Sequence, residues 1–140
     1  MRIVICGAGI VGSAIATHLA AEQNDVTVID HDEEKVQRIA EHADLSAIIG
    51  LASHPDVLER AGLDQAELII AVTESDEVNM VACQMAHSLF KTPTKIARIR
   101  SNSYLRSDLQ SKVFTTENMP IDFIISPEQE VASAVSRQLR

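Results

Sequence analysis

The sequence predicts an α/β fold: a doubly wound parallel sheet of about six strands with helices on both faces and strand order 3-2-1-4-5-6. Three observations lead there. Short runs rich in Ile and Val alternate with amphipathic stretches along the chain, as expected of strands buried on both faces and joined by crossover helices. The first unit, Arg2 to Gly12, passes from an apolar strand through Gly7-Ala8-Gly9-Ile10-Val11-Gly12 into a helix. The second strand, Val26 to Asp30, closes on an acid 18 residues past Gly12.

Glycines at that spacing, directly after a strand and opening a helix, are the fingerprint of a Rossmann-like dinucleotide-binding βαβ unit. Gly7 permits the tight turn, Gly9 lets the backbone approach a pyrophosphate, and Gly12 lets helix and strand pack closely. The segment Gly7 to Gly12, with Ala8, Ile10 and Val11, brings unpaired N–H groups and the positive end of a helix dipole to the phosphates. Asp30 lies near the ~20-residue spacing of the acid that hydrogen-bonds the adenosine ribose. A carboxylate there repels a 2′-phosphate, so NAD is expected rather than NADP.

The chain has 140 residues, 46% of them hydrophobic and 23% charged, which suits one globular domain. Its net charge of −8 and the lack of a basic block argue against nucleic acid and against direct contact with an anionic membrane. No segment approaches the ~18 uninterrupted apolar residues of a membrane span. The glycine-interrupted apolar stretch to Ala16 is needed as strand and helix, so it is not read as a signal peptide. Cys6 and Cys83 lack metal-ligand spacing and read as buried, reduced thiols of a cytoplasmic protein. No metal site is expected.

In order, the first helix carries a sheet-facing stripe of Val11, Ala14, Ile15 and Leu19, with His18 at its edge as a packed or half-exposed residue rather than a catalytic one. The acids following His31 open a second helix with Val36, Ile39, Ala40 and Ala43 as its apolar side. Leu45 to Gly50 is the third strand, with Gly50 where backbone passes close to the adenine side of a ligand. Ser53 as N-cap, Pro55 and Asp56 begin a short helix that ends before Gly62. Glu67 to Thr73 is a fourth strand, set beside the first across the switch point, so the following turn faces the glycine loop. A capping box from Thr73 to Asp76 accounts for much of that turn. Asn79 stands out as the strongly polar residue before a helix, Val78 to Leu89, that is apolar nearly all round. Lys95 to Arg100 is the fifth strand, and period two puts Arg98 and Arg100 on one face at its carboxyl end, where guanidinium groups suit phosphate. After a polar tract with a modest helix (Leu105, Leu109, Val113), Ile121 to Ser126 forms a sixth strand. Residues 127–140 form a last helix with a stripe of Val131, Ala134, Val135 and Leu139.

Taken together, the glycine segment, Asp30, Gly50 to Leu58, Ala71 to Met80 and Ala97 to Arg100 resemble the N-terminal RCK (or KTN) nucleotide-binding domains of TrkA-type regulatory subunits of bacterial potassium uptake systems. The resemblance covers essentially the whole chain. It implies a non-catalytic switch that binds NAD (as NAD+ or NADH), or ATP or ADP at the same site. It also implies assembly with itself into dimers and, in full-length proteins, tetrameric rings beneath a membrane potassium-transporting pore subunit. The location implied is cytoplasmic, peripheral to the inner membrane face through that partner. Carried over by residue, Gly7, Gly9 and Gly12 cradle phosphate and Asp30 binds ribose. Thr73, Asp76 and Asn79 line the far wall, and Arg98 and Arg100 meet phosphates or a neighbouring subunit. Residues 1–126 then form the NAD-binding domain, and 127–140 resemble a helix crossing between subunits. Members of the family carry further domains, so the chain is expected to be a fragment of a longer one.

Two other readings compete. A small NAD-dependent oxidoreductase lacks support: Asp108 stands four residues after the only tyrosine, Tyr104, where a short-chain dehydrogenase needs lysine. A structural dimerisation module with a vestigial crevice is the other.

Overall fold

A computed structural model describes residues 1–125. Strands β1 (Arg2–Cys6), β2 (Asp25–Asp30), β3 (Ser46–Ile49), β4 (Leu68–Ala71), β5 (Thr94–Arg98) and β6 (Phe123–Ile125) alternate with helices α1 (Ile10–Ala21), α2 (Glu33–His42), α3 (Pro55–Arg60), α4 (Asp76–Met85) and α5 (Ser107–Val113). The six strands form one parallel sheet in the order β3-β2-β1-β4-β5-β6, as the sequence predicts. Strand alternation divides the core in two. Ile3, Ile5, Val26, Val28 and Ile70 pack under α1 and α2, whereas Val4, Cys6, Ile69, Ala71 and Ala97 pack under α3 and α4. Both faces being covered, the central strands need continuous apolar runs, and β1 and β4 supply them. The chain leaves β1 for one face and β4 for the other, so a crevice opens between their carboxyl ends.

Local chemistry follows the sequence reading at the start of α2 and departs from it at the starts of α3 and α4. Asp32 caps α2, its carboxylate accepting from the Glu34 N–H at 2.9 Å and the Lys35 N–H at 3.4 Å. The N-cap of α3 is His54 rather than Ser53, because Pro55 takes the first helical position, where its missing N–H costs nothing. Ser75, not Thr73, caps α4, accepting from the Val78 N–H at 3.2 Å. The Thr73 hydroxyl is turned instead toward Asn79, 2.7 Å away. Along α1 the buried residues are Gly12, Ile15, Ala16 and Leu19, while Ala14 is exposed, a rotation of the expected stripe. On α2, Val36 and Ile39 are buried and Ala40 is exposed.

Helix α4 runs on into a π-helical turn, Ala86–Phe90. It is one-sided rather than buried all round, since Val81 and Leu89 are exposed. β5 ends at Arg98 and β6 begins at Phe123, each shorter than expected. A buried lysine pins the two together: Lys95 Nζ donates to the Thr92 carbonyl at 3.0 Å and lies 3.3 Å from Asp122 Oδ2. The same Asp122 oxygen accepts the Lys95 N–H at 2.7 Å. Ser126 and the helix expected over 127–140 lie outside the described residues. No helix among the described residues is long and apolar enough to cross a membrane.

Candidate functional site

The crevice has a volume of about 880 Å³, within the size range of small-molecule sites. The glycine segment Gly7 to Val11 forms one wall, and Thr73 to Ser75, Val78, Arg98 and Arg100 form the wall opposite. Asp30, His31, Lys35 and Arg38 bound the end next to β2, with Gly50 to Ser53 above them.

The three glycines serve different needs. Gly7 adopts φ +110°, in the region that favours glycine, and a Cβ there would lie 2.9 Å from the Val72 carbonyl oxygen. A Cβ on Gly12 would overlap the carbonyl oxygen of Gly7, so this glycine sets how closely α1 packs on the loop. Gly9 is otherwise. Its φ of −73° and ψ of −163° suit any residue, and a Cβ there would meet nothing within 4 Å. Nothing in the protein itself requires glycine at this position; what a side chain would fill is the space in front of α1. That helix start has no side-chain cap, which leaves first-turn N–H groups to a ligand, and Gly9, Ile10 and Val11 at it line the crevice. Ile10 stands 92% exposed beside it.

Asp30 is the second fixed point. Only 8% exposed, its carboxylate accepts the Ala8 N–H through Oδ2 and the Asp32 N–H through Oδ1, both at 2.8 Å. Each carboxylate oxygen has a second lone-pair direction, so the group can also take a hydroxyl. His31 Nδ1 lies 3.7 Å from Oδ1. The Gly50 N–H donates to the Asp30 carbonyl at 3.0 Å, and a Cβ on Gly50 would lie 2.9 Å from Val57 Cγ1. Gly50 is thus demanded by packing while lining the crevice.

The far wall is held from behind. Arg98, 5% exposed, donates through Nη2 to the carbonyls of Val72 at 3.0 Å and Thr73 at 2.8 Å. Arg100 Nη2 donates to the Glu74 carbonyl at 2.8 Å. Asp76 does not line the crevice; its two carboxylate oxygens accept the N–H groups of Arg100 and Ser101 at 2.9 and 2.8 Å. Asn79 is fully buried behind Thr73. Of the residues singled out in the sequence, Gly7, Ala8, Gly9, Ile10, Val11, Asp30, Thr73, Arg98 and Arg100 are brought together around the crevice, whereas Gly12, Asp76 and Asn79 stand behind its walls.

Sequence reasoning missed Lys35 and Arg38. Each directly precedes a buried residue of α2, Val36 and Ile39, and this three-residue spacing puts both on the helix edge that overlooks Asp30. His18 is exposed, 3.5 Å from Glu22, and the Tyr104 hydroxyl donates to Glu77 Oε2 at 2.8 Å, which raises its pKa. Neither lines the crevice. Among the described residues, no cluster of His, Cys, Asp and Glu could hold a metal ion.

Residues 3–127 match the family model of the TrkA-N domain. The chain belongs to the TrkA-N domain family. It is 52% identical over 139 residues to the Trk system potassium uptake protein TrkA of Azorhizobium caulinodans, covering 99% of this chain and 30% of that protein. The TrkA of Haemophilus influenzae is 49% identical over 137 residues, with 98% of this chain and again 30% of the relative covered. The chain therefore spans about three tenths of the length of the curated relatives it matches. The TrkA-N fold is shared with the TrkA-N domain of the inner membrane protein ybaL from Escherichia coli, with a TM-score of 0.75 at 19% identity over 99% of this chain and 96% of that one. It is shared as well with the GsuK channel bound to NAD, at TM-score 0.71 and 18% identity over 89% of this chain and 21% of that one.

Proposed function

We propose that this TrkA-N domain is the nucleotide-sensing part of a regulatory subunit that controls potassium uptake, with NAD(H) as ligand and ATP or ADP as further ligands of the same crevice. The carrying observation is Gly9: a residue free of any packing or backbone demand for glycine is left bare where a pyrophosphate would meet an uncapped helix start. The names of the TrkA relatives support the link to potassium uptake. The NAD-bound channel that shares the fold supports a nucleotide as the kind of ligand.

In this reading the pyrophosphate lies over Gly9 and the first turn of α1. Asp30 accepts the ribose hydroxyls, and the adenine rests toward Gly50 to Ser53. The outer oxygens of the phosphates and the remainder of the ligand face Thr73, Arg98 and Arg100, where NADH, ATP and ADP differ. Chemistry is not performed. The site works by binding one conformation of an assembly better than another, the sole way a ligand shifts such an equilibrium. The assembly consists of further copies of the subunit and a membrane potassium-transporting partner, with the domain on the cytoplasmic side. An oxidoreductase is the poorer reading, because the Tyr104 hydroxyl is engaged with Glu77 away from the crevice.

Calorimetry of the 140-residue chain with NADH, NAD+, NADPH, ATP and ADP tests the reading. NADH binding with NADPH weaker is the expected result. Binding by none of the five overturns the nucleotide reading, and NADPH as tight as NADH overturns the role given to Asp30.

A further inference from the structure

Asn79 sits near the start of α4, wholly buried, and every hydrogen-bonding position of its carboxamide is occupied by two other residues. Oδ1 accepts the N–H of Thr73 at 2.9 Å and its hydroxyl at 2.7 Å. Nδ2 donates to the Thr73 carbonyl at 3.2 Å and the Arg98 carbonyl at 2.8 Å. The partners fix which end of the amide is which, since an N–H must meet oxygen and the two carbonyls must meet nitrogen. Nothing of the side chain remains to offer a ligand. Yet both residues it grips, one at the end of β4 and one at the end of β5, line the crevice. Arg98 completes the knot by returning its Nη2 to the Thr73 carbonyl at 2.8 Å.

We propose that Asn79 is a positioning residue. It sets Thr73 and Arg98 against the phosphate-bearing half of a nucleotide without touching the nucleotide, an inference that rests on the crevice taking such a ligand. Without its carboxamide, the part-buried Thr73 N–H and the buried Arg98 carbonyl lose partners, and leaving such polar groups unpaired is costly. The strand ends must then shift to find new ones, and the Arg98 guanidinium moves with the Thr73 carbonyl that holds it. The opposite end of the crevice, at Asp30 and Gly50 to Ser53, shares none of these bonds. Loss of Asn79 therefore weakens ligands in proportion to what they place near Arg98, whereas a general loosening of the fold weakens all ligands alike.

The test is NMR titration, which reads millimolar as well as micromolar binding, of the 140-residue chain with ADP and with adenosine, alongside exchange of the Thr73 amide. Asn79→Ala is expected to lose at least tenfold in ADP affinity and less than twofold in adenosine affinity. Asn79→Asp keeps the acceptor for the Thr73 N–H and loses the donor to the Arg98 carbonyl. Its ADP affinity, taken relative to wild type at each pH, is low at neutral pH and recovers on acidification as the carboxyl gains a proton to donate. Equal losses for both ligands, no loss for ADP, or an Asp variant indifferent to pH each overturn the proposal. Should Asn79→Ala fail to fold, the Asp variant carries the comparison. Should wild type bind neither ligand, ADP is struck from the ligands of the crevice, and the nucleotide reading stands or falls on NADH. Asn79 is then judged on the Thr73 amide of the folded variants: exchange at least tenfold faster in Asn79→Ala sustains the positioning role, and unchanged exchange removes it.

Discussion

The carboxylate of Asp30 accepts the backbone N–H of Ala8 at 2.8 Å, joining the end of β2 to the middle of the glycine segment. One residue thus holds the loop in place and, in the function proposed above, also accepts the ribose hydroxyls. These two duties can be separated by experiment.

Replacing Asp30 by Ala removes an ionised acceptor from two backbone N–H groups. Folding stability should fall by about 1–3 kcal/mol, and NADH binding by a similar amount. The gap between NADH and NADPH should narrow, because the carboxylate that repels a 2′-phosphate is gone. Denaturant unfolding and calorimetry read the two effects. A stability loss with unchanged NADH affinity would leave Asp30 as a loop fastener alone.

Gly9 and Gly12 should respond oppositely to the same methyl group. Gly12→Ala drives a Cβ into the Gly7 carbonyl oxygen, an overpacking expected to cost about 1–3 kcal/mol or more and to be seen as a lowered melting temperature. Gly9→Ala meets nothing within 4 Å and should stay within about 1 kcal/mol of wild type, as surface changes do. It should nevertheless lose NADH affinity, and Gly9→Val should lose more. A Gly9→Val protein that folds and binds normally would place the pyrophosphate elsewhere.

The two thiols make stability depend on alkaline pH. Burial pushes Cys6 up from the ordinary 9.0 to about 12, and burial likewise raises Cys83. The unfolded chain releases these protons from about pH 9 while the folded chain keeps them. Their contribution is therefore fully present below pH 9 and is lost as pH rises toward 12. The slope is at most about 1.4 kcal/mol per pH unit for each thiol. Urea midpoints of wild type should drop across this range more steeply than those of a Cys6→Ala/Cys83→Ala variant, and parallel curves would contradict the account. At pH 8 the folded protein should resist thiol reagents that label it at once in urea.

Much of this protein is legible in its sequence alone. The six strands, their order and the crevice beside β1 follow from apolar runs of strand length separated by helix-length stretches, because burial on both faces leaves no room for polar alternation in β1 or β4. Gly7, Gly9 and Gly12 are recognisable for a similar reason: their spacing is a local property of one turn and one helix start.

The tertiary structure decided what the polar side chains do. The family resemblance assigns Thr73, Asp76 and Asn79 alike to the far wall, yet Thr73 faces the crevice, Asp76 holds the backbone of Arg100 and Ser101, and Asn79 spends its whole carboxamide on Thr73 and Arg98. Lys35 and Arg38 were hidden because periodicity marks the buried stripe of α2 without saying what lies beyond its edge. Lys95 has no assigned role in the sequence reading and is a buried pin, since its partner Asp122 stands 27 residues away. Apolar patterning acts through each residue's own burial, which neighbours in the sequence reveal. A hydrogen bond needs a second group at a set distance and angle, and here that group is often on a strand some twenty residues distant. The sequence alone therefore determined the scaffold and the glycine loop, and only the folded sheet decided which polar groups line the crevice and which hold its walls.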